Sequence, residues 1–488
     1  MAMPLRRNAL FALRILSFLA PVAAAQAQIL SPGVDAVFGG SNDVTAAPTV
    51  HTPLLSYGVD AGVGETDNVT LVPTGKISET AALADADFAV VQQTRLFGVD
   101  AKGNFSYLDF LQGAYSPELV GRFDGMGRIA LIPERVIWVL QDDFGQGQLD
   151  PFTPPTPNNR QNINYLSTGP DIDLRLGSLG FIDMTARYAR TEYQTDPFDS
   201  NRMLGSVAVG MPLSAGSSVS LDGSAERVLF ENTALNTDFD RTSVYGHYDL
   251  QGARTTVMAN LGATRVDAGG ETLTGGLVKL QLLRKLSAAA NVTFNAGREL
   301  TDGSTTFSAL QSGATGTIST APAALASTNY TVTYASAGWQ YLRNRTTFGL
   351  SGQWEKDSYA GQPLLDVDRG TAQFSVERKL TRALTAQLLG SVYRTEYDHV
   401  DYAETDGMIG AVLVLREGRG LELKLRCEHD SRIAAGTGSG TGYAENRVLL
   451  TVGYRPRPSA WNQQPARPAR PGAAVTQIAG YPGPTSSY

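Results

Sequence analysis

The sequence predicts an all-β fold, a transmembrane up-and-down antiparallel β-barrel of about 20 strands (18–20), with short turns on one rim and longer acidic loops on the other. Three observations predict it. Apolar and polar residues alternate with period two in segment after segment between residues 54 and 455. The connections between those segments alternate short and long, and their charge alternates with them. The 488-residue chain has one cysteine, Cys427, so no internal disulfide holds it. Past residue 28 no apolar run approaches the roughly twenty residues a spanning helix requires.

The first element is an address. Arg6 and Arg7 precede the apolar run "NALFALRILSFLAPVAAAQAQ", which closes on small residues. A basic start, a short apolar stretch and an A-x-A close predict a signal peptide over 1–27, cut after Ala27. Residues 28–53 are expected as a periplasmic N-terminal segment, too short to form a plug domain. Charged residues make up 18% of the chain, below the roughly 25% of ordinary soluble domains. Glycine is abundant, at 51 residues, and the formal net charge is −7. With no basic aromatic patch in the barrel region, nucleic acid is excluded as a partner.

The barrel is expected over 54–455. In "SYGVDAGVGETDNV", Tyr57, Val59, Ala61 and Val63 fall on one face, and Ser56, Gly58, Asp60, Gly62 and Gly64 on the other. Further candidates follow at 87–101, 104–115, 119–131, 136–141, 163–175, 181–193, 201–211, 217–230 and 241–249. The second half adds 255–266, 272–283, 287–298, 328–342, 346–356, 369–377, 383–396, 407–415, 421–427 and 446–455. "LELKLRCEHD" shows the sorting best: Leu421, Leu423, Leu425 and Cys427 oppose Glu422, Lys424, Arg426, Glu428 and Asp430. The apolar face is the one to meet lipid, and the Gly/Ser/charged face is the one to meet an aqueous lumen. Candidate lumen-lining residues are Asp60, Asp100, Arg187, Asp222, Glu226, Glu422, Lys424 and Arg426. Tyr57, Tyr188, Tyr193, Trp339, Tyr341, Trp354, Tyr397 and Tyr454, near strand ends, suit interfacial girdles.

The short links include "KG" 102–103, "IPER" 132–135, "RNR" 343–345 and "RKLTR" 378–382. The longer ones include 65–86, the Pro/Asn-rich 142–162 and the Ser/Thr/Gly/Ala stretch 299–327. Every long connection is net negative, whereas the short turns are neutral or positive. A soluble sandwich has no reason to segregate sign by alternate connections. A barrel across a membrane has two different rims, so it can. Short turns are expected on the periplasmic side, and longer acidic loops outside the cell.

The last strand, "NRVLLTVGY" 446–454, ends on Tyr454 and resembles the terminal assembly signal of bacterial outer-membrane barrels. Beyond it, residues 456–488 are rich in proline and arginine and carry no acid, which predicts a disordered periplasmic tail, either a passive extension or a tether for a periplasmic partner. The segments "YGVDAGVGETDNV", "DDFGQGQLDPF" and "NNRQNINYLSTGPDI" are similar to a family of β-barrel porins of Gram-negative bacteria. That family includes outer-membrane barrels accompanying exosortase and exopolysaccharide gene clusters. The resemblance implies a barrel that helps export a polysaccharide, with outer-membrane lipid around it and no catalytic residues to carry over.

Chemistry beyond a passage finds little purchase. His51, His247, His399 and His429 form no H-E-x-x-H pair or Cys/His cluster, so no zinc site, cofactor or catalytic residue is expected. His247 falls on the lumen face beside Tyr245 and Asp249 without a serine partner that stands out. The acidic stretches "DVD" 366–368 and "DHVDYAETD" 398–406 lack the ordered ligand spacing of a calcium loop. Three readings remain, in order: a passage for polar solutes or exported polysaccharide, a structural barrel with a blocked lumen, and a secreted carbohydrate-binding β-sandwich. Any constriction of the lumen has to come from an inward-folded loop, and 299–327 is the longest and least charged.

Overall fold

The computed structural model describes residues 54–150, 152–177, 179–311, 329–418, 420–436 and 442–456. The expected signal peptide, the 28–53 segment and the tail beyond Pro456 lie outside the described residues. Twenty antiparallel strands form one sheet. They are β1 Leu54–Thr66, β2 Glu79–Gln93, β3 Phe97–Phe110, β4 Glu118–Ile132 and β5 Val136–Gln148. Next come β6 Arg160–Arg175, β7 Phe181–Tyr193, β8 Ser200–Ser214, β9 Ser217–Phe230 and β10 Phe239–Gln251. The third quarter holds β11 Thr255–Ala268, β12 Glu271–Ser287, β13 Ala290–Thr301, β14 Tyr330–Arg343 and β15 Thr346–Tyr359. The last five are β16 Val367–Lys379, β17 Leu384–Tyr397, β18 Tyr402–Arg416, β19 Leu421–Gly436 and β20 Tyr443–Tyr454. Among the described residues one α-helix, α1 (Gly303–Gln311), follows β13. Each strand pairs with its chain neighbours, and β20 returns to β1 from Val59↔Tyr454 to Thr66↔Arg447. The sheet is therefore closed.

Closure satisfies the backbone, and alternation decides the two faces. Leu261 (71% exposed), Ile433 (72%) and Leu221 (63%) stand on the outer surface, whereas Asp60 (5%), Asp222 (3%) and Asp183 (0%) turn inward. So extensive an apolar exterior is stable only with hydrocarbon as its solvent. Leu261, at the middle of β11, is expected to tolerate alanine, whereas Leu261→Arg should cost about 2–4 kcal/mol at the bilayer midplane. Urea-dependent refolding into lipid vesicles measures the difference. Equal stability of the two variants would mean that this face does not meet lipid.

Four expectations need correction. The first short turn lies at 94–96, not at Lys102–Gly103. There Thr94 Oγ1 accepts the Phe97 N–H (2.9 Å), and the Thr94 N–H donates to the Phe97 carbonyl (2.7 Å). Gly103 instead sits inside β3, where the Phe88 ring lies in the space a side chain would need. Residues 142–148 belong to β5, since pairing with β6 carries the strand past its Asp and Gly residues to Gln148↔Arg160. The 267–271 connection shrinks to Gly269–Gly270, both at positive φ (58° and 89°), the geometry a two-residue hairpin requires. Tyr193 and Tyr397 are not girdle residues: their parity turns both inward, at 7% and 5% exposure. Tyr188, Trp339, Trp354 and Tyr454 do face out, between 39% and 46% exposed.

Candidate functional site

The protein is an outer-membrane β-barrel, so its chemistry resides on the wall turned away from lipid and at the two rims. Strand parity places all eight candidate residues on that inner wall, in three groups. At the seam, Asp60 of β1 lies against Gly453 of β20 and 3.4 Å from Arg455, which also reaches Asp87 (2.8 Å). Glu422 accepts Arg416 (2.7 Å) and lies 3.8 Å from Lys424, while Arg426 pairs with Glu428. Asp100 of β3 lies near Lys102 and Asp124, themselves 2.9 Å apart. Across the barrel Arg187 binds Asp171 (2.6 Å), and Asp222 accepts the Ser220 hydroxyl (2.6 Å). Toward the short-turn rim the wall carries both signs. Asp173 and Asp183 are directly opposed across β6 and β7.

Glu226 belongs to a different assembly, one that sequence alone did not reveal. After β13 the chain turns into the barrel, and Asp302 caps α1 by accepting the Ser304 and Thr305 N–H groups (3.1 and 3.2 Å). The same carboxylate takes Arg202 of β8 and Arg241 of β10 (2.6 Å). Both guanidinium groups also reach Glu226 of β9, at 3.1 and 3.0 Å. Arg241 further donates to Asn329, where the loop returns (3.0 Å). Burial by itself would raise the Asp302 carboxyl, but Arg202 and Arg241 hold it well below the usual carboxylate range. Two cations and two carboxylates therefore lock the start of α1 to the wall.

The rest of α1 reaches further. Phe307 (3% exposed) packs with Ile163, Tyr165, Ala189 and Tyr193 of β6 and β7. The Thr306 hydroxyl bonds Tyr330 (2.6 Å) on β14, so the helix touches walls on both sides of the lumen. A second segment crosses elsewhere. The β5–β6 loop sends Phe152 against Tyr397 of β17 (ring centroids 4.8 Å) and Tyr402 of β18 (5.5 Å). Asn159 (8% exposed) holds that loop in its coil, donating to the Asp150 carbonyl (2.8 Å) and the Thr153 hydroxyl (2.7 Å). The expectation of an inward-folded 299–327 loop is thus met by α1 over its described part. Phe152 lies within the 142–162 stretch, which the sequence marked only as a long Pro/Asn-rich connection.

The remaining singled-out groups have ordinary partners. His247 Nδ1 lies 2.6 Å from Asn260 Oδ1. Asp366 accepts the Tyr359 N–H (2.6 Å), while Asp368 and Asp398 share Lys356 (2.8 and 2.6 Å). The clue to Asp302 was the stretch "TDGSTTF", an aspartate preceding small polar residues as at a helix start. The clue to Arg202 was its inward parity on a strand whose other inner residues are small or apolar, whereas Arg241 shares its inner face with His247 and Asp249 and did not stand out.

No protein-family model matches this chain, and no relative among curated proteins was found. Solved structures similar to it include the siderophore receptor PirA from Pseudomonas aeruginosa, at 11% identity and TM-score 0.40, covering 82% of this chain and 80% of that one. The FrpB iron transporter from Neisseria meningitidis (F3-3 variant) matches at 9% identity and TM-score 0.41, over 82% and 81%. The ferric citrate transporter FecA in unliganded form matches at 10% identity and TM-score 0.42, over 82% and 78%. No residue role or substrate is carried over from them.

Proposed function

We propose that the protein is a loop-gated aqueous passage for polar solutes or an exported polysaccharide. In this reading the long-loop rim faces outside the cell, and α1 and the Phe152 loop close the lumen from that side. The observation that carries it is the latch. A helix held inside a polar-walled barrel by ion pairs can be released without unmaking the barrel. The resemblance of the sequence to barrels that accompany exopolysaccharide genes supports a polysaccharide as cargo. The net-negative long connections around the outer mouth support a slight cation preference for small ions.

Reversal potentials of the refolded full chain in planar bilayers, under a salt gradient, are expected to favour cations. Firm anion preference would show that the charge of the outer rim does not govern entry. The blocked-lumen reading draws on the burial of Phe307 and the stacking on Phe152. Absence of conductance even after the latch is broken would put that reading in place of ours.

Sidedness is tested separately. Epitope tags in 231–238 or 398–401 are expected to be reached on intact cells, and tags in 344–345 or 380–383 only after permeabilisation. The opposite pattern would invert the orientation. We also propose that the 456–488 tail tethers a periplasmic partner, on the strength of its Pro/Arg composition. Truncation after Arg455 spares the Arg455–Asp87 contact and should leave assembly intact while losing the partner.

A further inference from the structure

Six strands end on related sequences. "RTEY" closes β7, "RVLF" β9, "RVDA" β11, "RELT" β13, "KDSY" β15 and "RTEY" β17. The cation leading each stretch is Arg190, Arg227, Arg265, Arg298, Lys356 or Arg394, and strand parity turns every one outward, onto the lipid side. Register confirms the face: Arg227 lies opposite Met203 (55% exposed), and Arg298 opposite Val278 (44%). All six stand at one level, just below the long-loop rim and above the apolar belt. They occur on alternate strands, so neighbours are about 10 Å apart, twice the spacing between strands.

Between them the descending strands present Asn201, Thr242, Thr274, Thr333 and, on β16, Asp368, which pairs with Lys356 at 2.8 Å, on the same face. The remaining ascending strands break the pattern: β1, β3 and β19 carry Val63, Tyr107 and Ile433 at the equivalent outward positions, and β5 has Phe144 and Gln146 there. The belt therefore covers one arc of the perimeter.

We propose that this arc binds the phosphate-bearing headgroup of an anionic glycolipid in the leaflet at the long-loop rim. Charge, level and spacing carry the inference. A cation at the edge of the hydrocarbon meets headgroups before it meets water, and basic residues there attract anionic lipid. Most of the cations have carboxylate neighbours, such as Asp267 at 2.7 Å from Arg265 and Glu396 at 2.8 Å from Arg394. Those pairs are exposed and weak, and a guanidinium has five donors, so a phosphate can be added beside the carboxylate or exchanged for it. Arg227 and Arg265 keep 63% and 60% of their side-chain surface open. Among the described residues Arg298, also exposed, has no carboxylate partner. Threonine hydroxyls and Asn201 between the cations suit the sugar that carries the phosphates. The leaflet assignment rests on the orientation proposed above, but binding to the arc does not.

Native mass spectrometry of the detergent-solubilised full chain tests it, with bisphosphorylated lipid A and its dephosphorylated form as probes. We expect at least tenfold tighter binding of the phosphorylated form. A variant carrying Arg227→Gln, Arg265→Gln, Arg298→Gln and Arg394→Gln should lose that preference, and the matching Arg→Lys variant should keep it. Heat-modifiable migration confirms that each variant is folded. Equal binding of the two probes by the unaltered chain overturns the proposal with no variant needed. So does retention of the preference by the folded Gln variant. Conductance is expected to be the same in all these proteins, since the arc lies outside the lumen. Loss of the passage reading would therefore show in conductance alone, and loss of the lipid site in binding alone.

Discussion

Asp302→Asn is expected to raise single-channel open probability of the refolded barrel by about a hundredfold at neutral pH, with the barrel still heat-modifiable. Asparagine caps a helix as well as aspartate does, so α1 keeps its first turn. What goes is one of two negative charges facing two buried guanidinium groups, leaving Arg202 and Arg241 to share Glu226. Breaking a buried pair on one side costs about 3–5 kcal/mol. Even about 3 kcal/mol charged to the closed state shifts the equilibrium by roughly a hundredfold.

The pH dependence follows from the same group. A carboxyl whose folded-state pKa is depressed contributes stability above its unfolded pKa and loses it only as pH falls through the folded value. The Asp302 carboxyl is held well below the usual range, so the unaltered latch should stay shut through mildly acidic pH. The asparagine variant should conduct across that whole window. A folded Asp302→Asn barrel conducting no more than its parent would show that the ion pairs do not hold the passage shut.

Leu450→Pro is expected to prevent assembly altogether, leaving a chain that migrates at its unfolded position before and after heating. Leu450 lies between Leu425 of β19 and Val63 of β1, at the seam that closes the barrel. Its side chain points to lipid, so Leu450→Val should be tolerated. Proline there removes a backbone donor from a ladder that has no water to replace it. An unmet backbone group in hydrocarbon costs several kcal/mol, and the seam is where the last strand must find the first. Normal heat-modifiability of the proline variant would mean that β1 and β20 do not close the sheet.

The number of strands was legible because period-two alternation is local. Whether Leu421, Leu423 and Leu425 share a face depends only on their spacing, and the same holds for Asp60 against Val59. Turn positions were less legible. "KG" 102–103 has turn composition, yet Thr94 closes the hairpin at 94–96 through a bond that residue type alone does not announce. Tyr193 and Tyr397 went astray for a related reason. Nearness to a strand end suggested the girdle, but parity had already turned them inward. The cation that opens each of the six strand endings was present in the sequence as well. Its meaning waited on strand bounds that put all six at one level.

By itself, then, the sequence determined an alternating, lipid-facing sheet, because alternation follows from neighbours a few residues apart. Only the tertiary structure decided what fills the barrel. Arg202, Arg241 and Asp302 are separated by long stretches of chain and meet because strand order brings β8, β9 and β10 beside one another, with α1 folded back across them. Phe152 and Tyr397 meet across the lumen in the same way. A contact between distant segments leaves no period in the sequence, since its cause is the closure of the sheet as a whole.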